Sequence, residues 1–168
     1  MKGKRLRKIK LFVNGHLHEL EVGNGPNQIK PSHTLAHTLR ETLGLTGTKV
    51  SCDHGACGCC TVLMDGKAVL SCMMLTVECD GKKITTIEGL KDPKTDALDP
   101  LQQAFIDSTA FQCGFCTPGI IMSAKALLNK NSLPTEEEVK EALSGNFCRC
   151  ITHYQVIRTV MSASRKVR

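Results

Sequence analysis

The chain has 168 residues, ten of them cysteine and 41% of them hydrophobic, which suits one ordinary domain or two small ones. Ten of its 22 basic residues lie in the end segments 1–10 and 158–168, and the remainder, 11–157, is net acidic. The formal charge of +6 therefore comes from the chain ends and does not indicate a nucleic-acid-binding surface on the folded body. No apolar run reaches the length of a membrane span, and the basic start leads into no apolar signal segment, which predicts a cytoplasmic protein with metal-binding rather than disulfide-bonded thiols.

Alternating apolar residues near the start of the chain predict a β-hairpin followed by a helix. The two strands span 6–13 and 16–22, and Asn14-Gly15 between them is a strong turn signal. Leucines at helical spacing then predict a helix over 34–43.

A second hairpin and a closing strand are predicted further along. Short apolar runs at 61–64 and 68–70 flank the turn Asp65-Gly66, and the β-branched run 84–87 is typical of a strand. Two hairpins, one helix and a closing strand predict a small mixed sheet packed on a helix. That is the pattern of a β-grasp ferredoxin-like fold.

Four cysteines flank the second hairpin. Cys52, Cys57 and Cys60 have the spacing C-x4-C-x2-C, and Cys72 follows after a short insert, which is the plant-type spacing for a 2Fe–2S cluster. Such a cluster needs four thiolates in one small volume, two for each iron. The two glycines inside the loop let the backbone curl and turn its N–H groups towards sulfur. Zinc is the alternative, because C-x2-C is also a zinc spacing, but the x4 gap and the glycines argue against it.

The periodicity becomes helical in the second half, after a connection over 88–99 that is rich in lysine and aspartate. Thr117 before Pro118 predicts an N-cap with proline at the first helical position. Thr135 and Glu138 form a predicted capping box. Short loops between the helices predict a four-helix bundle. The predicted helices cover 101–106, 118–128, 136–143 and 156–164.

A second cysteine set precedes two of these helices. Cys113 and Cys116 come before one helix start, and Cys148 and Cys150 come before the last helix. A helix N-terminus favours thiolates and an anionic cluster through its backbone donors and its dipole. In isolation this set fits a four-cysteine zinc site almost as well. Beside a ferredoxin-type loop, we predict a second 2Fe–2S cluster.

Two cysteines remain outside these sets. Cys79 lies near a predicted strand and is expected to be a small buried hydrophobe. Cys59 lies beside the predicted ligand Cys60 and could compete with it for iron. The x2 spacing selects Cys60, so we do not predict Cys59 as a ligand.

Histidines offer other metal sites. The C-x-H at 52–54 and the C-x2-H at 150–153 together resemble the two-histidine, two-cysteine set of a Rieske centre, but using them would break up both four-cysteine groups. His33 and His37 are four residues apart around the start of the first helix. Without an apparent third ligand, we expect them to be surface or packing residues.

Together these elements predict an α+β chain with two domains. A ferredoxin-like domain is predicted over 10–87 and an all-α domain, a four-helix bundle, over 88–163. Short basic tails are predicted at 1–9 and 164–168. We expect them to be solubilising segments, the alternative being arms that dock on a partner subunit.

Seven segments of the chain, in order, carry a resemblance to a known family. They are 39–41, 45–49, 52–62, 71–72, 86–89, 112–119 and 145–150. With them, the chain resembles the small iron–sulfur subunit of the molybdenum hydroxylases, the family of xanthine dehydrogenase, aldehyde oxidoreductase and carbon monoxide dehydrogenase. The resemblance extends over about 11–160.

The resemblance implies an electron-transfer subunit with two 2Fe–2S clusters. The cluster in the ferredoxin-like domain would face a medium subunit carrying FAD, and the cluster in the helical domain would lie near the molybdopterin of a large subunit. Gln112 would then hydrogen-bond the pterin, and Cys150, besides binding iron, would lie against the pterin amino group. Electrons would leave molybdenum through the helical cluster, then the ferredoxin-type cluster, then FAD or an external acceptor.

Three departures from the family pattern stand out. Cys59 replaces a residue that is usually small, Ser51 replaces a usual glycine, and 151–154 replaces a usual Thr-Gly-Tyr. None of them removes a predicted ligand.

Two alternatives to this function stay open from the sequence. One is a freestanding two-cluster ferredoxin that serves several partners, although a simple carrier does not need the helical half. The other is a zinc-binding interaction module. The chain shows no nucleophile–base pair and no carboxylate dyad, so catalysis is predicted to belong to the partner's cofactor, and the substrate is not specified.

Overall fold

The N-terminal half of the structure, a computed structural model that describes residues 7–166, is a five-stranded mixed sheet. The strands stand in the order β2-β1-β5-β3-β4. β1 and β5 pair in parallel, and the other pairs are antiparallel. The predicted basic tails lie partly outside the described residues. The strands are β1 (Arg7–Val13), β2 (His16–Val22), β3 (Thr61–Met64), β4 (Lys67–Leu70) and β5 (Lys83–Thr85).

Both predicted hairpins are confirmed. Asn14 and Gly15 join β1 to β2, and Asp65 and Gly66 join β3 to β4. All four residues have positive φ, between 50° and 83°, as a two-residue type I′ turn requires. This turn matches the twist of the strands and fixes their register.

A short helix packs on the sheet. Helix α1 (Leu35–His37) continues as a π-helical turn over Thr38–Thr42, and the Thr34 hydroxyl caps it by accepting the His37 N–H. Leu35 and Leu39 are fully buried. Burying a leucine side chain contributes about 1.5–3 kcal/mol, so this face holds the helix on the sheet.

The end of that helix is tied to the chain that leads into the cysteine loop. Arg40 donates from its guanidinium to the carbonyls of Thr46 and Thr48, at 3.1 and 2.8 Å. These bonds fold the segment back on the helix. The helix predicted over 34–43 therefore has a role in positioning the first cysteine set.

The closing strand differs from its prediction over 84–87. β5 ends at Thr85, and Ile87–Leu90 forms a 3-10 helix. The Asn14 side chain bonds Thr86 twice, accepting from its N–H and donating to its hydroxyl, both at 2.9 Å. These bonds withdraw the chain from the ladder one residue beyond the strand, which the β-branched sequence could not reveal.

The C-terminal half is helical, so the predicted α+β class is confirmed, while the four-helix-bundle arrangement stays a prediction. The expected Thr117 N-cap is wrong by one residue, because Cys116 takes that position. The last helix starts earlier than predicted, where the Thr152 hydroxyl accepts the Gln155 N–H. The helices are α2 (Pro100–Asp107), α3 (Thr117–Lys130), α4 (Glu136–Leu143) and α5 (His153–Lys166).

The predicted connection between the halves is confirmed as a surface segment, and it is anchored at its end. Asp99 caps α2 and forms an ion pair with Lys125 of α3, where its side chain is only 10% exposed. Gln102 donates its amide N–H to the Ile87 carbonyl at 3.1 Å. Because such bonds cross between the halves, the exact division at 87/88 stays a prediction.

The capping box of α4 generates a pH-dependent prediction. Hydrogen bonds from the Thr135 N–H and then from the Asn131 amide hold the pKa of the Glu138 carboxyl below its ordinary value. A carboxyl with a lowered native pKa stabilises the fold above its unfolded pKa of about 4.3, and this contribution is lost as pH falls through the native value. Glutamine can keep the capping-box bond without the charge.

We therefore expect Glu138→Gln to lose less free energy of unfolding than the wild type when the pH falls from about 6 to about 3. Denaturant unfolding at both pH values, with both proteins in the same metal-loading state, measures the difference. The exposed Glu141→Gln serves as the control for a general change of charge on α4. Equal losses in wild type and Glu138→Gln would contradict the assignment.

Candidate metal centres

The four cysteines of the first set meet in two contacting pairs. The Cys52 thiol lies against that of Cys57, and the Cys60 thiol against that of Cys72. Cys60 and Cys72 are buried, whereas Cys52 and Cys57 are half-buried. Ser71 donates its hydroxyl to the Cys60 carbonyl at 2.6 Å, which fixes the second pair at the ends of β3 and β4.

Backbone donors surround these thiols, as the loop glycines predicted. Ala56 donates its N–H to the Cys52 sulfur at 3.3 Å, and Gly55 donates to Cys72. Gly55 and Gly58 have φ values of 77° and 70°, the left-handed conformation that lets the loop curl. The His54 N–H, followed by the contact with Cys57, lowers the pKa of Cys52 to about 6, so this thiol ionises readily for metal binding.

The second set shows the same pairing. The sulfurs of Cys113 and Cys150 lie 3.6 Å apart, and the Cys116 thiol lies against that of Cys148. Cys116 is the N-cap of α3, and Ile151, two residues before α5, donates its N–H to the Cys148 sulfur at 3.4 Å. Burial, followed by the contact with Cys148, raises the pKa of Cys116 to about 12.

The arrangement of the thiols in pairs distinguishes a 2Fe–2S cluster from a structural zinc ion. A 2Fe–2S cluster takes two thiolates at each of two irons, whereas structural zinc takes four ligands around one ion. Two pairs in each set fit the two-iron group. The Rieske combination is not formed, because the thiols of Cys52 and Cys150 pair with other cysteines.

The two sets lie against each other across a close backbone contact. Asn146, which is 5% exposed, donates its amide N–H to the Gly58 carbonyl at 3.1 Å. Phe147 donates its backbone N–H to the Cys57 carbonyl at 2.9 Å. A chain of covalent bonds and one hydrogen bond therefore joins Cys148, the next residue, to Cys57 of the first set.

Sequence reasoning missed Asn146. It took the neighbouring Gly145 only as a helix stop, and α4 indeed ends at Leu143 with Ser144 as its C-cap. The sequence signal that could have identified Asn146 was a polar residue between a helix end and two cysteines. Nothing local indicated that its partner would be 88 residues away.

The two cysteines outside the sets differ in surroundings. Cys79 is fully buried in the sheet core and donates its S–H to the Leu75 carbonyl at 3.4 Å, so its prediction as a buried hydrophobe is confirmed. Cys59 is 4% exposed and packs in the core of the helical half. Burial, followed by a hydrogen bond to Cys57, raises the pKa of Cys59 to about 12.

The other residues weighed from the sequence are a glutamine beside the second set and two histidines at the start of the first helix. Gln112 is exposed, next to Cys113. The His33 and His37 rings are in contact, tilted by 49° with their centroids 4.1 Å apart, and burial together with the His37 charge lowers the pKa of His33. None of the helices within residues 7–166 is long and apolar enough to cross a membrane.

Fold and thiol geometry define a two-cluster type of iron–sulfur protein, and family comparisons agree. A 2Fe-2S iron-sulfur cluster binding domain matches residues 23–87, and a second 2Fe-2S binding domain matches 86–161. The small subunit of nicotine 6-hydroxylase from Paenarthrobacter nicotinovorans is 52% identical over 134 residues, which are 80% of this chain and 79% of that subunit.

Solved structures share the whole fold. Quinoline 2-oxidoreductase from Pseudomonas putida 86 contains a chain with a TM-score of 0.83 and 38% identity, covering 97% of this chain and 98% of that one. Aldehyde oxidoreductase from Desulfovibrio desulfuricans ATCC 27774 gives a TM-score of 0.87 at 40% identity, over 97% of this chain and 17% of that longer one. The chain belongs to the family of small iron–sulfur subunits of molybdenum hydroxylases, and its role in that family is electron transfer.

The backbone contact between the two sets generates a stability prediction. A Cβ on Gly119, in the first turn of α3, would collide with the Gly58 carbonyl oxygen and lie 2.9 Å from the Cys59 Cα. Overpacking of this kind costs about 1–3 kcal/mol, which outweighs the gain of about 1 kcal/mol in helix propensity. We expect Gly119→Ala to lower the melting temperature and to disturb both thiol sets.

Gly145→Ala is the matched control. A Cβ there meets no atom within 4 Å, and Gly145 does not have positive φ. Thermal unfolding of the two variants, with absorbance spectra of the purified proteins, separates a tight contact from a general intolerance of alanine. Equal melting temperatures for the two variants would contradict the importance of the contact.

Proposed function

We propose that the chain holds two 2Fe–2S clusters and relays electrons between a molybdopterin-bearing large subunit and a flavin subunit or external acceptor. Each cluster, when bound, accepts and releases one electron. The pairing of the thiols is the observation that carries this proposal. The proposed ligands are Cys52, Cys57, Cys60 and Cys72 for the first cluster and Cys113, Cys116, Cys148 and Cys150 for the second.

The residues around the thiols suit this role. Hydrogen bonds from backbone N–H groups to ligand sulfur stabilise the more negative, reduced state and so raise the reduction potential. Ala56 supplies such a bond in the first set and Ile151 in the second. Burial of Cys60, Cys72 and Cys116 keeps water away from one side of each set.

The contact between the halves supplies a route for electrons within the chain. The Phe147 N–H bonds the Cys57 carbonyl, and Phe147 is covalently joined to Cys148. One hydrogen bond therefore connects a proposed ligand of each set. The second set would receive electrons and pass them along this route to the first.

The second set has an exposed side that suits the large subunit. Cys113 and Cys150 are exposed, as is Gln112 beside them. Large apolar side chains that a free protein would normally bury are exposed nearby in sequence, with Phe115 at 45% and Phe147 at 63%. This supports the pterin contacts proposed for Gln112 and Cys150.

The first set has its own candidate partner surface. Met73 is 59% exposed and lies over Gly55 of the cysteine loop. An exposed methionine at a redox centre suits docking of a second subunit, here proposed to carry FAD. The exposed apolar surface at both ends disfavours the freestanding ferredoxin, because a free carrier would present it to water.

The arrangement of the helices and the location of the protein are also proposed. The four helices are proposed to form a four-helix bundle, supported by the packing of α2 on α5 and of α4 on α3 and α5. All ten cysteines are free thiols, which supports a cytoplasmic, reducing location.

Metal and sulfide analysis of the purified complex tests the function directly. Two clusters correspond to four irons and four acid-labile sulfides in each small subunit, and the reduced protein should give two distinguishable paramagnetic signals. Stoichiometric zinc without visible absorbance would instead support the interaction module. Purification without any molybdenum subunit would support the freestanding ferredoxin.

Single ligand substitutions should remove the clusters one at a time. Cys52→Ser is expected to abolish one paramagnetic signal and half of the iron, and Cys113→Ser is expected to abolish the other signal. The reason is that the first set lies in the cysteine loop, whereas the second lies at the starts of α3 and α5. Cys79→Ser, which changes a thiol in the sheet core, should retain both signals. Simultaneous loss of both signals in Cys52→Ser would argue against two separate centres.

A further inference from the structure

Asn146 is a buried side chain between the end of α4 and the second cysteine set, and it is 5% exposed. Its backbone N–H donates to the Leu143 carbonyl at 2.9 Å, which anchors it to the last turn of α4. Its amide donates to the Gly58 carbonyl at 3.1 Å. The packing there is close, because a Cβ on Gly58 would lie only 2.6 Å from the Asn146 amide nitrogen. Asn146 therefore ties α4 to the first cysteine loop.

The Gly58 carbonyl has other donors besides Asn146. It accepts the Thr61 N–H at 3.2 Å and the Thr61 hydroxyl at 2.7 Å, both from the start of β3. Loss of the Asn146 amide would therefore leave this carbonyl hydrogen-bonded, without the cost of an unpaired buried acceptor. The loss would act instead on the position of residues 146 and 147 relative to the loop.

The next residue carries the hydrogen bond of the proposed electron route. Phe147 donates its backbone N–H to the Cys57 carbonyl at 2.9 Å, and it is covalently joined to Cys148. The Phe147 side chain is 63% exposed, so its own packing does not hold this backbone in place. Two neighbouring residues thus bond two neighbouring residues of the loop, and the buried Asn146 is the anchor of the pair.

We propose that Asn146 is a positioning residue for electron transfer between the two sets. Its amide, by donating to the Gly58 carbonyl, keeps the Phe147 N–H in hydrogen-bond contact with the Cys57 carbonyl. In the transfer one electron leaves the second cluster, which is oxidised, and enters the first, which is reduced, and no bond forms or breaks. The inference rests on the proposed function, because it requires Cys57 and Cys148 to bind iron.

Loss of the amide would weaken the route and leave every proposed ligand in the chain. An N–H···O hydrogen bond has a donor–acceptor distance of about 2.7–3.2 Å and weakens beyond it, so a small release of residues 146 and 147 would open the route at its one non-covalent step. The bonds to ligand sulfur come from other residues, Ala56 and Ile151. We therefore expect slower transfer with little change in the reduction potentials.

Flash photoreduction of the assembled complex with a deazaflavin reductant, followed by freeze-quenching at increasing times, tests the proposal. It measures how fast an electron redistributes between the two paramagnetic signals, and the signal lost in Cys52→Ser identifies the first cluster. We expect the redistribution to be slower by several-fold in Asn146→Ala and in Asn146→Leu, with wild-type iron content and unchanged midpoint potentials. Alanine is smaller than asparagine and leucine is larger, so an effect common to both comes from the lost N–H donor.

Asn131→Ala is the matched control. Asn131 is the C-cap of α3, and its amide donates to the Glu138 carboxylate of α4 at 3.2 Å, a bond within the helical half. Its loss removes a side-chain amide between two elements without touching the contact between the halves. The variant should keep the wild-type redistribution rate even where its melting temperature falls.

Several outcomes would overturn the proposal. A wild-type rate in Asn146→Ala would show that the route does not depend on the amide, and a wild-type rate in Asn146→Leu alone would assign the effect to volume. Equal slowing in Asn131→Ala, or loss of iron from both Asn146 variants, would make Asn146 a general structural residue. These outcomes leave two signals in the wild type and overturn this inference alone, whereas a wild type without two signals overturns the proposed function as well.

Discussion

The structure depends on the close approach of two backbones, the first cysteine loop and the start of α3. Gly119 lacks a side chain where α3 meets the Gly58 carbonyl, and Gly58 lacks one where the loop meets Gly145 and Asn146. The buried Asn146 amide closes the contact by donating to the Gly58 carbonyl. Cys57, Cys60, Cys116 and Cys148 lie within three residues of these positions, so this one contact fixes the distance between the two sets. An electron carrier with two centres needs that distance to be constant, since transfer weakens steeply with separation.

The thiol sets share a second constraint, the repulsion between several sulfur groups in a small volume. Backbone N–H donors offset this repulsion at Cys52 and lower the pKa of its thiol. Burial has the opposite effect at Cys72 and raises the pKa of that thiol. The second set is also asymmetric. Its exposed pair, Cys113 and Cys150, faces outwards, while Cys116 is buried towards the first loop. The proposed entry of electrons from a partner and their proposed exit through the chain are thereby on opposite sides.

Much of the local structure was predictable from short-range chemistry. The hairpins at Asn14-Gly15 and Asp65-Gly66 followed from turn residues, and the start of α4 followed from the Thr135 capping box. Errors occurred where a side chain distant in sequence intervened. The Asn14 amide ended β5 early, and the cap of α3 shifted to Cys116, which the thiol contact with Cys148 holds in place.

The sequence by itself determined the number of thiols, their grouping into two sets and the kind of cluster that they suit, because spacing along a covalent chain limits which sulfurs can meet. It also determined the α+β class and the family, through motifs that extend over most of the chain. Only the tertiary structure decided how the sets face each other, which thiols pair, and that Cys59 packs in the core of the helical half. The physical reason is that these features rest on contacts between distant segments, such as the one joining Gly58 and Asn146 across 88 residues. No local pattern encodes them.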